Sequence, residues 1–145
     1  MNLFQSIYCN QYAELKRNGR DATKARKNGI ILIAAMLVLD VFLFVMLINT
    51  FAKDSAAGKS LIKFFEQFGS GRNTGKLLGA LLFFLIIGLV YITIGKQNYF
   101  DKTITKFEDL DEARQKRIEQ NATIYVFANI GLLFILLMVS LFASR

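Results

Sequence analysis

Three stretches of the chain are dominated by Ile, Leu, Val, Phe, Met, Ala and Gly, over residues 28–52, 77–95 and 121–144. The first contains one charged residue, Asp40, and the other two contain none. Each is long enough, at about 1.5 Å per residue, to carry a helix across most or all of roughly 30 Å of hydrocarbon. The pattern predicts an all-α polytopic membrane protein: one domain over residues 1–145, three transmembrane helices, and termini on opposite sides.

Between the long runs the apolar residues recur at helical spacing. Leu3, Phe4, Ile7, Tyr8, Tyr12 and Leu15 fall three or four apart, with Asn10, Glu14 and Lys16 on the opposite face. This predicts an amphipathic interfacial helix over residues 1–18, its stripe directed at lipid or, as the alternative, packed against the protein's own loop or a partner subunit. Asn18-Gly19 supplies a left-handed helix end, and Asp21 is a candidate N-cap for the basic turn that leads into the first span. In the first loop Phe64, Phe65 and Phe68 lie opposite Lys63, Glu66 and Gln67. A second amphipathic helix is therefore expected at residues 60–68, ahead of the breaker Gly69-Ser70-Gly71, as another lipid or partner surface. Asp109, followed three residues later by Glu112, has the form of a capping box. A helix starting there meets no breaker, so residues 109–120 are expected to extend the third span out of the membrane.

Charge sets the orientation. The net charge is +7, and the positive residues flank the apolar runs instead of clustering with aromatics on a soluble face, so no nucleic-acid partner is expected. The amino-terminal segment and second loop together hold twelve Lys and Arg, against six in the first loop and tail. By the positive-inside rule the N-terminus is inside and the C-terminus outside, and the expected location is a bacterial cytoplasmic membrane. Tyr91, Tyr99 and Tyr125 fall near the inner ends of the second and third spans, where an aromatic belt would sit.

Candidate chemistry is sparse. The chain has no His, Trp or Pro, and its one cysteine, Cys9, has no second thiol to pair with. Gly71, Gly75 and Lys76 fall short of a phosphate-binding loop: the glycine spacing is one residue too small, and Leu77 stands where a hydroxyl should meet magnesium. No metal site, cofactor or catalytic residue is expected, and the chain does not read as an enzyme. Gly75 and Gly79 form a GxxxG, and Gly88 falls at a depth similar to that of Asp40, so all three are helix-packing candidates. Asp40, near the middle of the first span, has no Lys or Arg in any span to neutralise it. It reads either as a polar contact that specifies packing or as part of a proton or cation pathway. Asn49 and Asn129 are the other strongly polar intramembrane side chains. The expected function is a non-catalytic membrane subunit or scaffold acting through lipids, other subunits or copies of itself. A homo-oligomeric channel with Asp40 on its path is the alternative, and a membrane-permeabilising lysis protein is third.

Overall fold

The computed structural model describes residues 1–52, 54–56, 58–60, 63 and 72–143. The long helices among the described residues are α1 (Leu3–Arg17), α2 (Lys24–Phe51), α3 (Arg72–Thr93), α4 (Gln97–Glu108) and α5 (Glu112–Ala143). Two regions, Lys24–Ile48 and Glu112–Val139, are long and apolar enough to cross a membrane; the bent pair formed by α3 and α4 adds a third if counted as one span. Such helices mark a membrane protein. The expected first-loop helix at 60–68, with Phe64, Phe65 and Phe68, falls mostly outside the described residues.

Helix α1 is closed at both ends by its own side chains and backbone. The Asn2 carboxamide accepts from Gln5 N–H at 2.9 Å while Gln5 Oε1 accepts from Asn2 N–H at 3.0 Å, a reciprocal capping box. At the other end Arg20 N–H returns to Leu15 O and Gly19 N–H to Lys16 O, with Gly19 at φ +63°. Those paired bonds satisfy carbonyls that a straight helix end leaves open, and the left-handed residue they require is the glycine expected there. Asp21 does not cap α2 as expected. Its carboxylate accepts from Thr23 N–H (3.0 Å) and Thr23 Oγ1 (2.7 Å) in a local turn, and α2 starts at Lys24 behind Thr23.

The second loop contains a helix that the run-length reading left out. The apolar run of α3 stops at Thr93, and Ile94 and Gly95 N–H both fold back on Val90 O. Gly95 is buried, and a Cβ there would lie 2.7 Å from Tyr91 Cα and 3.0 Å from Ile30 Cδ1, so a side chain would obstruct the turn. Beyond it α4 leaves at 69° to α3 and buries Phe100, Thr103, Ile104 and Phe107, one face at three-to-four spacing. Asp109 closes α4 instead of opening the last helix, donating its N–H to Thr105 O. Helix α5 begins at Glu112, where Arg114 and Gln115 N–H bond to Asp111 O. The Gln115 side chain bridges the corner, its Nε2 donating at 3.0 Å to both Phe107 O and Leu110 O. Carbonyls left open by the end of α4 are thus satisfied from α5.

Helix α2 is the centre of the bundle, packed against α1, α3 and α5, while α1 also lies against α4 and α5. The stripe on α1 is turned inward. Ile7 and Leu15 are buried and Tyr8 is wholly covered, packed with Ala25, Ile30, Ile33 and Ala34 of α2 and Phe100, Ile104 and Phe107 of α4. Phe4 and Tyr12 pack against the edge of this core and Leu3 is exposed. The physical reason is geometric: α4 and the amino-terminal ends of α2 and α5 bring enough apolar surface to one end of the bundle to occupy the stripe. Lipid or a partner is not needed to cover Ile7 and Tyr8.

Tyr8 sits directly on Gly29. A Cβ at Gly29 would fall 2.4 Å and 2.7 Å from two ring carbons of Tyr8. The ring meets Tyr99 and Phe100 edge-on at 6.5 Å and 5.5 Å between centroids, and its hydroxyl donates to Ile94 O at 3.3 Å. Arg26 Nη1 donates to Gly95 O, also at 3.3 Å. The carboxy end of α3 therefore lies beside the amino-terminal end of α2, and the two run antiparallel.

Gly29→Ala is expected to destabilise the protein by about 1–3 kcal/mol, since overpacking must displace the Tyr8 ring. Gly88→Ala, where a Cβ meets nothing within 4 Å, should cause no loss. Thermal unfolding of both variants in mild detergent checks the contrast. Burial pushes the Tyr8 hydroxyl and the Cys9 thiol up to about 12. Both groups hold their protons more tightly when folded, so their contribution is intact below pH 9 and is lost as pH rises from there through about 12. Cys9 should resist maleimide at pH 8 in the native protein and react after denaturation, and the contribution of these two groups to stability should fall only on the alkaline side of pH 9.

Candidate functional site

The site that stands out is built from three side chains on two helices. Met36, Asp40 and Leu43 share one face of α2, and Met36 and Leu43 are buried on either side of the carboxylate. On α5 the residues Ala122, Tyr125, Asn129 and Leu136 recur at spacings of three, four and seven, with Ala122 and Leu136 buried. The two faces meet at the polar positions. Tyr125 Oη donates to Asp40 Oδ2 at 2.5 Å, and Asn129 Nδ2 donates to Asp40 Oδ1 at 2.8 Å.

Each carboxylate oxygen therefore has its own donor from the neighbouring helix. In hydrocarbon, bonds of this kind replace the water an acid would otherwise need. Asn129 was expected as an independent polar contact and Tyr125 as a belt residue; both belong to the Asp40 cluster. The signal that could have joined them is the four-residue separation of Tyr125 and Asn129, which puts two donors on one helix face.

The other site candidates are not brought into this cluster. A Cβ built on Gly79 or Gly88 meets nothing within 4 Å, so among the described residues no helix approaches α3 closely there. The backbone of Asn49 and Gly75 is helical, and their side-chain surroundings lie outside the described residues. No group of three potential metal-binding acid or thiol side chains occurs among the described residues.

A second polar cluster lies at the α1 end. Glu108 Oε1 accepts from Tyr12 Oη at 2.6 Å and from Lys16 Nζ at 2.8 Å, and the Lys16 ammonium sits 5.4 Å from the centre of the Tyr12 ring. These bonds hold Glu108 below the usual carboxylate range and raise both Lys16 and Tyr12. Arg17 reaches Glu119 of α5 at 2.7 Å, and Glu119 is largely covered. The charged stretch that opens α5, expected to extend the third span out of the membrane, thus carries part of the seat of α1.

Comparison with protein-family models, with curated proteins and with solved structures gives no match to this chain. The reading of the site rests on its geometry.

Asp40 and Tyr125 should be energetically coupled. A double-mutant cycle of Asp40→Asn and Tyr125→Phe, followed by reversible unfolding in detergent, should give an interaction of about 0.6–1.7 kcal/mol, the range of hydrogen bonds between membrane helices. Additive effects would mean that the two groups do not interact.

Proposed function

We propose that the chain is a non-catalytic integral membrane subunit or scaffold with three spans, formed by α2, α3 and α5. Helix α4 carries Asp101, Lys102, Lys106 and Glu108 and buries only one face, so it suits the membrane surface, leaving the apolar α3 as the second crossing. The excess of Lys and Arg around α1, α4 and the start of α5 supports the inside location of that end.

The observation that carries the reading is the use of Asp40. Both of its oxygens are engaged by α5 within the same chain, as suits a packing contact that sets the rotation of one helix against another. A conducting acid would be directed at a water-filled path or an axis shared between copies. The remaining surfaces fit a scaffold. Phe84, Leu85, Phe127 and Phe134 are exposed on α3 and α5, where lipid or membrane partners can cover them. At the α1 end, a body held by Tyr8, Glu108 and Glu119 presents a charged outer face to partners outside the hydrocarbon.

Extraction in mild detergent from the native membrane, with the native mass measured and co-purifying chains identified, is expected to recover the protein with a second chain in fixed ratio. Recovery as single free copies would count against the subunit reading. A homo-oligomer of defined size whose ion flux in liposomes changes with Asp40→Asn would replace it with a channel.

A further inference from the structure

A narrow cleft of about 270 Å³ runs between α2 and α3, lined by Phe4, Leu37, Val41, Ile86, Leu89, Val90, Thr93 and Ile94. Its one polar residue offers nothing to a ligand, because the Thr93 hydroxyl donates back to Leu89 O at 2.7 Å. From Ile86 to Ile94 it extends along α3 for about 12 Å at 1.5 Å per residue, close to the roughly 15 Å depth of one hydrocarbon leaflet. A helix, at least 10 Å wide with its side chains, does not enter a cleft of this size, whereas a single hydrocarbon chain does.

Two cations follow just past the Ile94 end of the cleft. Arg26 reaches Gly95 O, one residue beyond Ile94, and exposed Lys96 follows directly. Lys16, Arg17 and Arg114 each pair with a carboxylate, but among the described residues none comes within ion-pair distance of Arg26 or Lys96. An apolar slot about one leaflet deep, followed past Ile94 by Arg26 at Gly95 O and by exposed Lys96, complements a molecule with an acyl chain below an anionic head.

We propose that this cleft seats one acyl chain of an anionic phospholipid from the leaflet nearest α1, with its phosphate held by Arg26 and Lys96. The assignment rests on α3 crossing the membrane. The head group gives the preference for anionic lipid, since each basic residue near the surface favours an anionic head by roughly fivefold in affinity. The cleft gives retention, because an acyl chain seated there is shielded on two sides by α2 and α3.

The test is native mass spectrometry of the full chain in mild detergent with equal amounts of dioleoyl phosphatidylglycerol and dioleoyl phosphatidylcholine. One phosphatidylglycerol per chain should be retained in preference to phosphatidylcholine. Lys96→Gln and Arg26→Gln should each reduce that preference about fivefold, and Lys116→Gln, on the exposed face of α5, should not. Filling the cleft from its exposed residues with Val41→Phe and Leu89→Phe together should abolish retention. Equal retention of the two lipids, or a preference unchanged in both Lys96→Gln and Arg26→Gln, overturns the proposal, as does retention that survives the filled cleft. Labelling of single cysteines placed at Ala56 and Gln97 in a Cys9→Ser background, with an impermeant maleimide on sealed membranes, separates the two failures: reaction from the same side means that α3 does not cross and defeats the three-span reading itself, while reaction from opposite sides without a lipid preference defeats only the lipid site.

Discussion

The arrangement of the bundle depends on one aromatic ring lying on one glycine. Tyr8 can be wholly buried because Gly29 presents bare backbone where any other residue would put a Cβ into the ring. Burying a tyrosine requires a partner for its hydroxyl, and Ile94 O at the open end of α3 provides one. One side chain of α1 thereby fixes its distance to α2, closes part of the end of α3, and packs edge-on against the start of α4. The turn at Gly95 and the angle at which α4 leaves follow from the same contact zone, since Gly95 lies against Ile30 one position from Gly29. Without α1 the apolar face of α4 would lose its cover, and the helix would have only the bilayer surface to lie on.

The Asp40 cluster acts further along the bundle and on a different degree of freedom. Apolar packing between two membrane helices discriminates weakly between rotations, because lipid tails are as apolar as the side chains that face them. A carboxylate that must find two donors is stricter. Only a rotation that points Tyr125 and Asn129 at α2 satisfies it, and any other leaves a charged or polar group facing hydrocarbon. Tyr8 sets where the helices meet, and Asp40 sets which faces they show each other. No buried side-chain nitrogen or oxygen among the described residues is left without a hydrogen-bond partner, so neither constraint strands a polar group.

Charge at the α1 end has two uses. Part of it is internal: Lys16 with Glu108 and Arg17 with Glu119 tie α1 to α4 and α5, the first pair in solvent, where it contributes little, and the second with its carboxylate largely covered. Their role is to align a helix already held by apolar burial. Arg26 and Lys96 have no carboxylate within ion-pair distance among the described residues. The same end of the molecule is therefore both the most tightly packed and the most electropositive toward its surroundings.

Local chemistry was legible in the sequence wherever it depends on neighbours in the chain. The long apolar runs, the left-handed end at Gly19, the stripe on α1 and the exceptional position of Asp40 follow from composition and spacing, because helix periodicity and the cost of charge in hydrocarbon act over a few residues. Helix α4 was legible in principle from the spacing of Phe100, Ile104 and Phe107, and was hidden by the charges between them. What covers a stripe, and what satisfies an acid, depends on residues roughly ninety positions away. Tyr8 with Ile94 and Asp40 with Asn129 are pairings of that kind, and the direction of the α1 stripe was settled by how much apolar surface three other helices bring to one place. Spacing along the chain tells which side chains share a face, and only the tertiary structure decided which faces meet.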